Sequence, residues 1–117
     1  MHKLAEDPND LEKIFVERVN AGDVEGLVSL YESNATLATG DGEVAYGLEE
    51  IRKFFINYLA DSPQLAPSDQ APALCSGDLA LTSSQLSNGD ITAEIARRQV
   101  DGNWLWSVDQ FALRKGV

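Results

Sequence analysis

Residues 19–37, VNAGDVEGLVSLYESNATL, indicate most directly how this chain folds. Gly22 suits the left-handed conformation that ends a helix, and Asp23 can cap the next helix with its side-chain oxygen. Apolar side chains then recur at helical spacing, so a second helix is predicted from Asp23 to about Tyr31. A strand is predicted to follow from Ala35 to Thr39. The stretch therefore predicts two helices joined by a sharp turn and followed by a strand.

The flanking segments complete an α+β pattern. Asp7-Pro8 is predicted to open the first helix, with Asp7 as its cap, and a third helix is predicted from Leu48 to about Leu59. Residues 61–72 are rich in proline and are predicted to form a loop that suits a lid. Helices are expected on one face of a curved sheet whose last four strands form an antiparallel meander. The remaining predicted strands are Glu43–Tyr46, Ala73–Ser76, Leu79–Leu86, Ile91–Val100 and Asn103–Arg114.

Length and charge limit the classes of partner. The 117 residues suit one domain, with a core expected at about residues 8–114. A net charge of -10 disfavours nucleic acid and anionic membranes, which require clustered basic residues. No apolar run is long enough to span a bilayer, and no secretory signal is recognised. With Cys75 as its only cysteine, the chain is expected to be cytoplasmic.

Three motifs in order resemble the nuclear-transport-factor-2-like superfamily, in particular its SnoaL-like and ketosteroid-isomerase-like branches. After residues 19–37 come YGLEEIRKFF at 46–55, similar to the entry to the third helix, and AEIARRQVDGNWLWSVDQF at 93–111, similar to the closing hairpin. The resemblance covers about residues 11–113. It implies a cone-shaped α+β roll, a pocket between the sheet and the helices, and a homodimer.

The residues that perform steroid isomerisation in the resembled enzymes are absent. Aligned on the Ala-Gly-Asp turn, the base falls on Thr39, while the two acidic donors fall on Phe15 and about Ala96. None of these side chains exchanges a proton at neutral pH. A supporting tyrosine remains as Tyr31 and another is replaced by Phe55. Isomerase activity by that mechanism is therefore excluded, and the fold alone predicts no replacement reaction.

The register of the last hairpin decides which side chains face the pocket. A two-residue turn at Asp101-Gly102 pairs Glu94 with Asp109. Alignment with the family turns this face toward the cavity and leaves Trp104, Trp106 and Val108 outside, on a sheet face available to a homodimer. A turn one residue longer would instead place the tryptophans inside, as their hydrophobicity favours. The predicted ligand contacts are Phe15, Tyr31, Thr39, Phe55, Tyr58, Arg98, Ser107 and Phe111.

Asp109 and Glu94 are the candidate catalytic residues. Opposed carboxyls in a pocket repel one another, so one would keep its proton and an acid–base pair would become available. A salt-bridged or solvated pair, with Arg98 as the cation, is the alternative. His2, in a terminal segment, and Cys75, expected to be a small buried side chain, are weak candidates. No metal-ligand spacing is present, and no cofactor is expected.

Two functions remain open. One is the binding of a small apolar or carbonyl-containing molecule, either without catalysis or with isomerase, cyclase or hydrolase activity, in which Tyr31 and Thr39 position the ligand. The other is a non-catalytic protein-association module, with Trp104, Trp106 and Val108 as the contact patch. A hollow pocket favours the first function, whereas a cone filled by phenylalanines favours the second.

Overall fold

Three helices cover one face of a seven-stranded sheet in the computed structural model, which describes residues 4–116. His2 lies outside the described residues. The sheet order is β2-β1-β7-β6-β5-β3, with β4 also paired to β5. The helices are α1 (Asp10–Asn20), α2 (Val24–Val28) and α3 (Gly47–Tyr58), followed by a 3-10 turn at Leu59–Asp61. The strands are β1 (Tyr31–Ala38), β2 (Val44–Tyr46), β3 (Asp69–Gln70), β4 (Leu74–Ser76), β5 (Leu79–Gln85), β6 (Ile91–Arg98) and β7 (Trp104–Arg114). The predicted α+β class is confirmed.

The turn at residues 21–23 forms as predicted. Gly22 has φ of +68°, and Asp23 Oδ1 accepts a 2.9 Å hydrogen bond from the backbone N–H of Gly26. However, α2 ends at Val28 rather than near Tyr31, because the carbonyl of Leu30 accepts from the backbone N–H of Trp106 at 2.8 Å. Tyr31 therefore begins β1, which runs parallel to β7. Pairing with a distant strand thus overrides the local helical spacing.

The first helix begins later than the Asp-Pro pair suggests. The carboxylate of Asp7 accepts from the backbone N–H of Asn9 at 2.8 Å, and its carbonyl accepts from Asp10 at 2.9 Å. These bonds form a turn before the helix, so Asn9 rather than Asp7 occupies the cap position.

The closing hairpin has the longer of the two turns considered above. Gln99 donates a 2.7 Å backbone hydrogen bond to the carbonyl of Asn103, which encloses three residues, and Arg98 pairs with Trp104. Trp104 and Trp106 consequently point inward and are 7% and 1% exposed. The expectation that they lie on the outer sheet face is wrong, because the extra turn residue shifts the register by one.

A bulge in β7 restores the predicted carboxylate pairing. Trp106 pairs with Ala96 and Val108 with Ile95, so Ser107 is an extra residue between them. Because of this extra residue, both Trp106 and Asp109 face inward although they are three positions apart. The predicted pairing of Glu94 with Asp109 is confirmed.

Phenylalanine, tyrosine and tryptophan rings form the centre of the core. Phe15 makes edge-to-face contacts with Phe55, Trp106 and Phe111, at centroid separations of 6.0, 5.8 and 5.8 Å. Such pairs stabilise a core beyond the area that they bury. Cys75 lies on β4 and is exposed, contrary to the expectation of a buried side chain.

Candidate functional site

A cavity of about 240 Å³ lies between the sheet and the helices. Its walls come from α1, α3, β6, β7 and the turn between β5 and β6. Aromatic rings and carboxyl groups make up much of the surface, with Lys115 at the exposed rim. The lining residues include Glu12, Phe15, Thr39, Tyr58, Leu65, Asp90, Thr92, Glu94, Trp106, Asp109, Phe111 and Ala112.

Asp109 is the most deeply placed acid. Its side chain is 2% exposed, and Tyr31 donates its hydroxyl to Oδ2 at 2.5 Å. Burial raises the pKa of Asp109 well above its usual range; the nearby charge of Glu94 adds to this effect, and the Tyr31 hydrogen bond opposes it. Burial therefore favours the protonated carboxyl, which is the form that a general acid requires.

Glu94 lies opposite Asp109 on the neighbouring strand. Thr82 donates its hydroxyl to Glu94 Oε1 at 2.7 Å, and the side chain is 3% exposed. Burial raises the pKa of Glu94, while hydrogen bonds from Thr92 and Thr82 lower it. These hydroxyls favour the ionised form of Glu94, which is the form that a general base requires.

Glu12 brings a third carboxyl that the sequence did not suggest. Burial raises its pKa from 4.5 to about 8, with a further increase from the charge of Glu94 and a decrease from the hydroxyl of Ser68, which lies 3.2 Å from Oε2. Glu12 precedes Phe15 by three positions on α1 and therefore shares its face. That spacing was the available signal for the third acid.

Four of the eight predicted ligand contacts line the cavity: Phe15, Thr39, Tyr58 and Phe111. Tyr31 and Phe55 are buried in the core beside them, and Tyr31 reaches the site through Asp109. The hydroxyl of Thr39 donates to Asp41, so a local turn holds it.

Arg98 and Ser107 do not line this cavity. Arg98 is exposed and forms an ion pair with Asp78 at 3.0 Å, so it does not neutralise the buried acids. Ser107 is the extra residue in the bulge and is hydrogen-bonded to Glu32. The prediction for Ser107 depended on the shorter turn, whereas Arg98 continues the alternation of Glu94 and Ala96 but lies at the end of β6, outside the cavity.

Trp106 and Leu65 line the cavity and were not predicted to do so. Trp106 follows from the longer turn, and Leu65 belongs to the proline-rich loop. Among residues 4–116, no cluster of three or more histidine, cysteine or acidic side chains is arranged to hold a metal ion. Nor does any helix in this range have the length and hydrophobicity to cross a membrane.

Comparison with solved structures identifies the fold. A candidate calcium/calmodulin-dependent protein kinase II association domain from Thiobacillus denitrificans superposes with a TM-score of 0.74 at 11% identity, covering 93% of this chain and 96% of that one. A candidate ketosteroid isomerase from Shewanella frigidimarina gives 0.70 at 18% identity, covering 86% and 90%. A candidate dehydratase of the nuclear-transport-factor-2-like family from Streptomyces avermitilis gives 0.69 at 16%, covering 87% and 90%.

This chain has the nuclear-transport-factor-2-like fold. No family model matches the sequence, and no curated protein matches it. Neighbours with the nuclear-transport-factor-2-like fold carry different functional descriptions, so the fold selects no activity by itself. Function must be argued from the cavity and the surfaces.

Proposed function

We propose that this protein binds a small molecule with an apolar body and one polar group, such as a carbonyl, in the cavity between the sheet and α1. The main support for this proposal is that aromatic side chains and the opposed carboxyls of Glu94 and Asp109 line the same cavity. Pockets of this composition orient apolar ligands through a few polar groups. A volume of about 240 Å³ suits a ligand smaller than a typical drug.

The carboxyl pair suits a reaction that moves a proton. Asp109, held by Tyr31, would act as the acid, and Glu94, held by Thr82, as the base. An isomerase, cyclase or hydrolase would need both roles. Tyr58 and Thr39 would then contact the ligand from the opposite walls.

A blocked cavity tests the binding proposal. Ala112 lines the cavity, whereas the adjacent Leu113 is exposed and does not, so Ala112→Trp should abolish binding while Leu113→Trp should preserve it. Ligands would come from an NMR screen of small carbonyl, alcohol and amine fragments against the wild-type protein. Equal binding by both variants, or no bound fragment at all, would contradict the proposal.

Substitution of the acids tests catalysis once a substrate is found. Asp109→Asn and Glu94→Gln should each abolish turnover, since each removes a proton-transfer group while keeping a similar shape. The Thr82→Val variant should weaken rather than abolish it, because Thr82 only supports Glu94. Unchanged turnover rates in the Asp109→Asn and Glu94→Gln variants would contradict a catalytic role for these acids, and only the binding function would remain.

A second candidate function, protein association, rests on the outer face of the sheet. Leu74 pairs with Leu81, Leu81 with Ile95 and Ile95 with Val108, so four apolar side chains form one row across β4, β5, β6 and β7. They are 71%, 50%, 40% and 42% exposed, respectively. The two tryptophans cannot contribute because they face the core.

A second copy of this chain is the proposed occupant of that row. Two identical rows can cover one another about a twofold axis, which removes both from water. Ile95→Asp should convert a dimer to a monomer in size-exclusion chromatography with light scattering. Val100→Asp, which makes the same charge change at a fully exposed position in the hairpin turn, should not. A monomeric wild-type protein would contradict the proposed homodimer. Binding of a different protein to the apolar row would then be tested.

A further inference from the structure

Acidic groups outnumber basic groups around the cavity. Carboxyls approach from three elements, with Glu12 on α1, Glu94 on β6 and Asp109 on β7, and Asp90 adds a half-buried fourth. Among residues 4–116, Lys115 is the one basic residue that lines the wall, and its side chain is exposed at the rim. An anionic ligand would meet these acids without a buried cation to balance it.

The three buried acids have hydroxyl partners and no cationic partner among residues 4–116. Ser68 donates to Glu12, Thr82 and Thr92 donate to Glu94, and Tyr31 donates to Asp109. Basic side chains in the same part of the chain are paired elsewhere, for example Arg52 with Glu25, Arg97 with Glu32, and Arg98 with Asp78. The acids therefore remain available to a cation supplied from outside the chain.

Aromatic rings form the rest of the wall. Phe15, Trp106 and Phe111 line the cavity together, and Tyr58 lies 6.3 Å from Phe111 between centroids. The electron-rich faces of such rings attract organic ammonium ions, most strongly where water is excluded. The wall thus combines the two groups that proteins use to hold such ions, carboxyls and aromatic faces.

We infer that the ligand of the small-molecule function proposed above, on which this inference rests, is an organic ammonium ion held by the three buried carboxyls and the surrounding rings. Binding would ionise one carboxyl and release its proton to solvent. The titratable groups that line the cavity around the bound amine are Glu12, Tyr58, Asp90, Glu94, Asp109 and Lys115.

Two matched probes test this inference. In 2-amino-1-phenylethanol and 1-phenylethane-1,2-diol, an amine in the first replaces a hydroxyl in the second, and nothing else differs. By isothermal titration calorimetry at pH 8, the amine should bind roughly tenfold or more tightly than the diol. At pH 7, titration in phosphate and in HEPES should reveal release of about one proton per bound amine.

Two controls separate specific binding from general attraction. Ala112→Trp keeps the net charge of -10 and fills the cavity, so it should lose the amine if the cavity is the site. Glu12→Gln should release fewer protons on binding while its circular dichroism stays native. Amine binding that survives Ala112→Trp would place the amine on the acidic surface and overturn the inference.

The outcomes also separate this inference from the proposal on which it rests. If the diol binds at least as tightly as the amine, the ammonium preference is wrong and the small-molecule function stands. If neither probe binds and the fragment screen is also empty, both are wrong. Amine binding without proton release would contradict the role of the protonated carboxyls.

Discussion

Glu12 couples the stability of the fold to pH. Its pKa is about 8 in the folded protein against 4.5 without burial. Between these values the folded state keeps a proton that the unfolded chain has lost, so the free energy of unfolding falls as pH rises from about 4.5 to 8. The slope from one such group approaches about 1.4 kcal/mol per pH unit.

Replacing Glu12 with glutamine should remove this slope. At pH 5 the Glu12→Gln variant should lie close to the wild type, while at pH 8 it should be more stable by roughly 3–4 kcal/mol, since the slope acts over three pH units and glutamine carries no charge to bury. Urea denaturation at both values measures the difference. Glu49→Gln, at an exposed position on α3, is the control and should change neither value appreciably. A constant difference across pH would contradict the buried, protonated form of Glu12.

Tyr31 stabilises the acid pair from behind the cavity. Tyr31→Phe removes the hydroxyl that donates to Asp109 Oδ2, so the pKa of Asp109 should rise further and the free energy of unfolding should fall by about 1–3 kcal/mol. Carbon-13 NMR of the aspartate carboxyls measures the change in the pKa of Asp109, and denaturation measures the change in the free energy of unfolding. Tyr46→Phe, at a position 65% exposed, provides the matched control. An unchanged Asp109 titration would show that the hydrogen bond is not maintained in solution.

At the scale of elements, α1 holds the proline-rich loop in place. Asn20 at the end of α1 accepts from the backbone N–H of Leu65 at 2.6 Å and donates to the Leu65 carbonyl at 3.0 Å. Asn9 at the other end accepts from the backbone N–H of Ala73 at 2.9 Å. Residues 65–73 are thus attached at both ends of one helix, and Leu65 is brought to the cavity wall.

Loss of the Asn20 side chain should release the first attachment. In Asn20→Ala, backbone amides of residues 64–68 should exchange hydrogen faster, and stability should fall by about 1–2 kcal/mol for the two lost hydrogen bonds. Hydrogen-exchange mass spectrometry measures the first quantity. Asn57→Ala, on the exposed side of α3, should leave the loop unaffected. If exchange in the loop is equally fast in the wild type, the Asn20 bonds do not order it.

At the scale of the whole molecule, the positions of the tryptophans distinguish the core from the outer sheet face. Both are buried within one copy of the chain, so their fluorescence should be blue-shifted and weakly quenched by acrylamide even in Ile95→Asp, the variant designed to be monomeric. Unfolding in urea should make both accessible. Strong quenching in the folded variant would instead place the tryptophans outside, as the shorter turn predicted.

The predictable and unpredictable parts of the site differ in their dependence on register. Phe15 and Tyr58 could be placed at the cavity from helical spacing, since each helix repeats independently of its neighbours. Ser107 was misplaced, because one extra residue in the hairpin turn moves the side chains of β7 to the other face. Arg98 continues the alternation of Glu94 on β6, but it lies at the end of that strand and outside the cavity. Asp109 faces inward because the bulge at Ser107 compensates for the extra turn residue.

Local patterns in the sequence alone determined the α+β class, the turn at Gly22, the three helices and the antiparallel meander. They could do so because capping, helical periodicity and turn chemistry act over a few neighbouring residues. Only the tertiary structure decided the end of α2, the inward tryptophans and the approach of Glu12 to Glu94. These depend on the pairing of β1 with β7 and on the packing of α1 against the sheet, which bring together residues far apart in the chain and raise the pKa values of the acids by burying them.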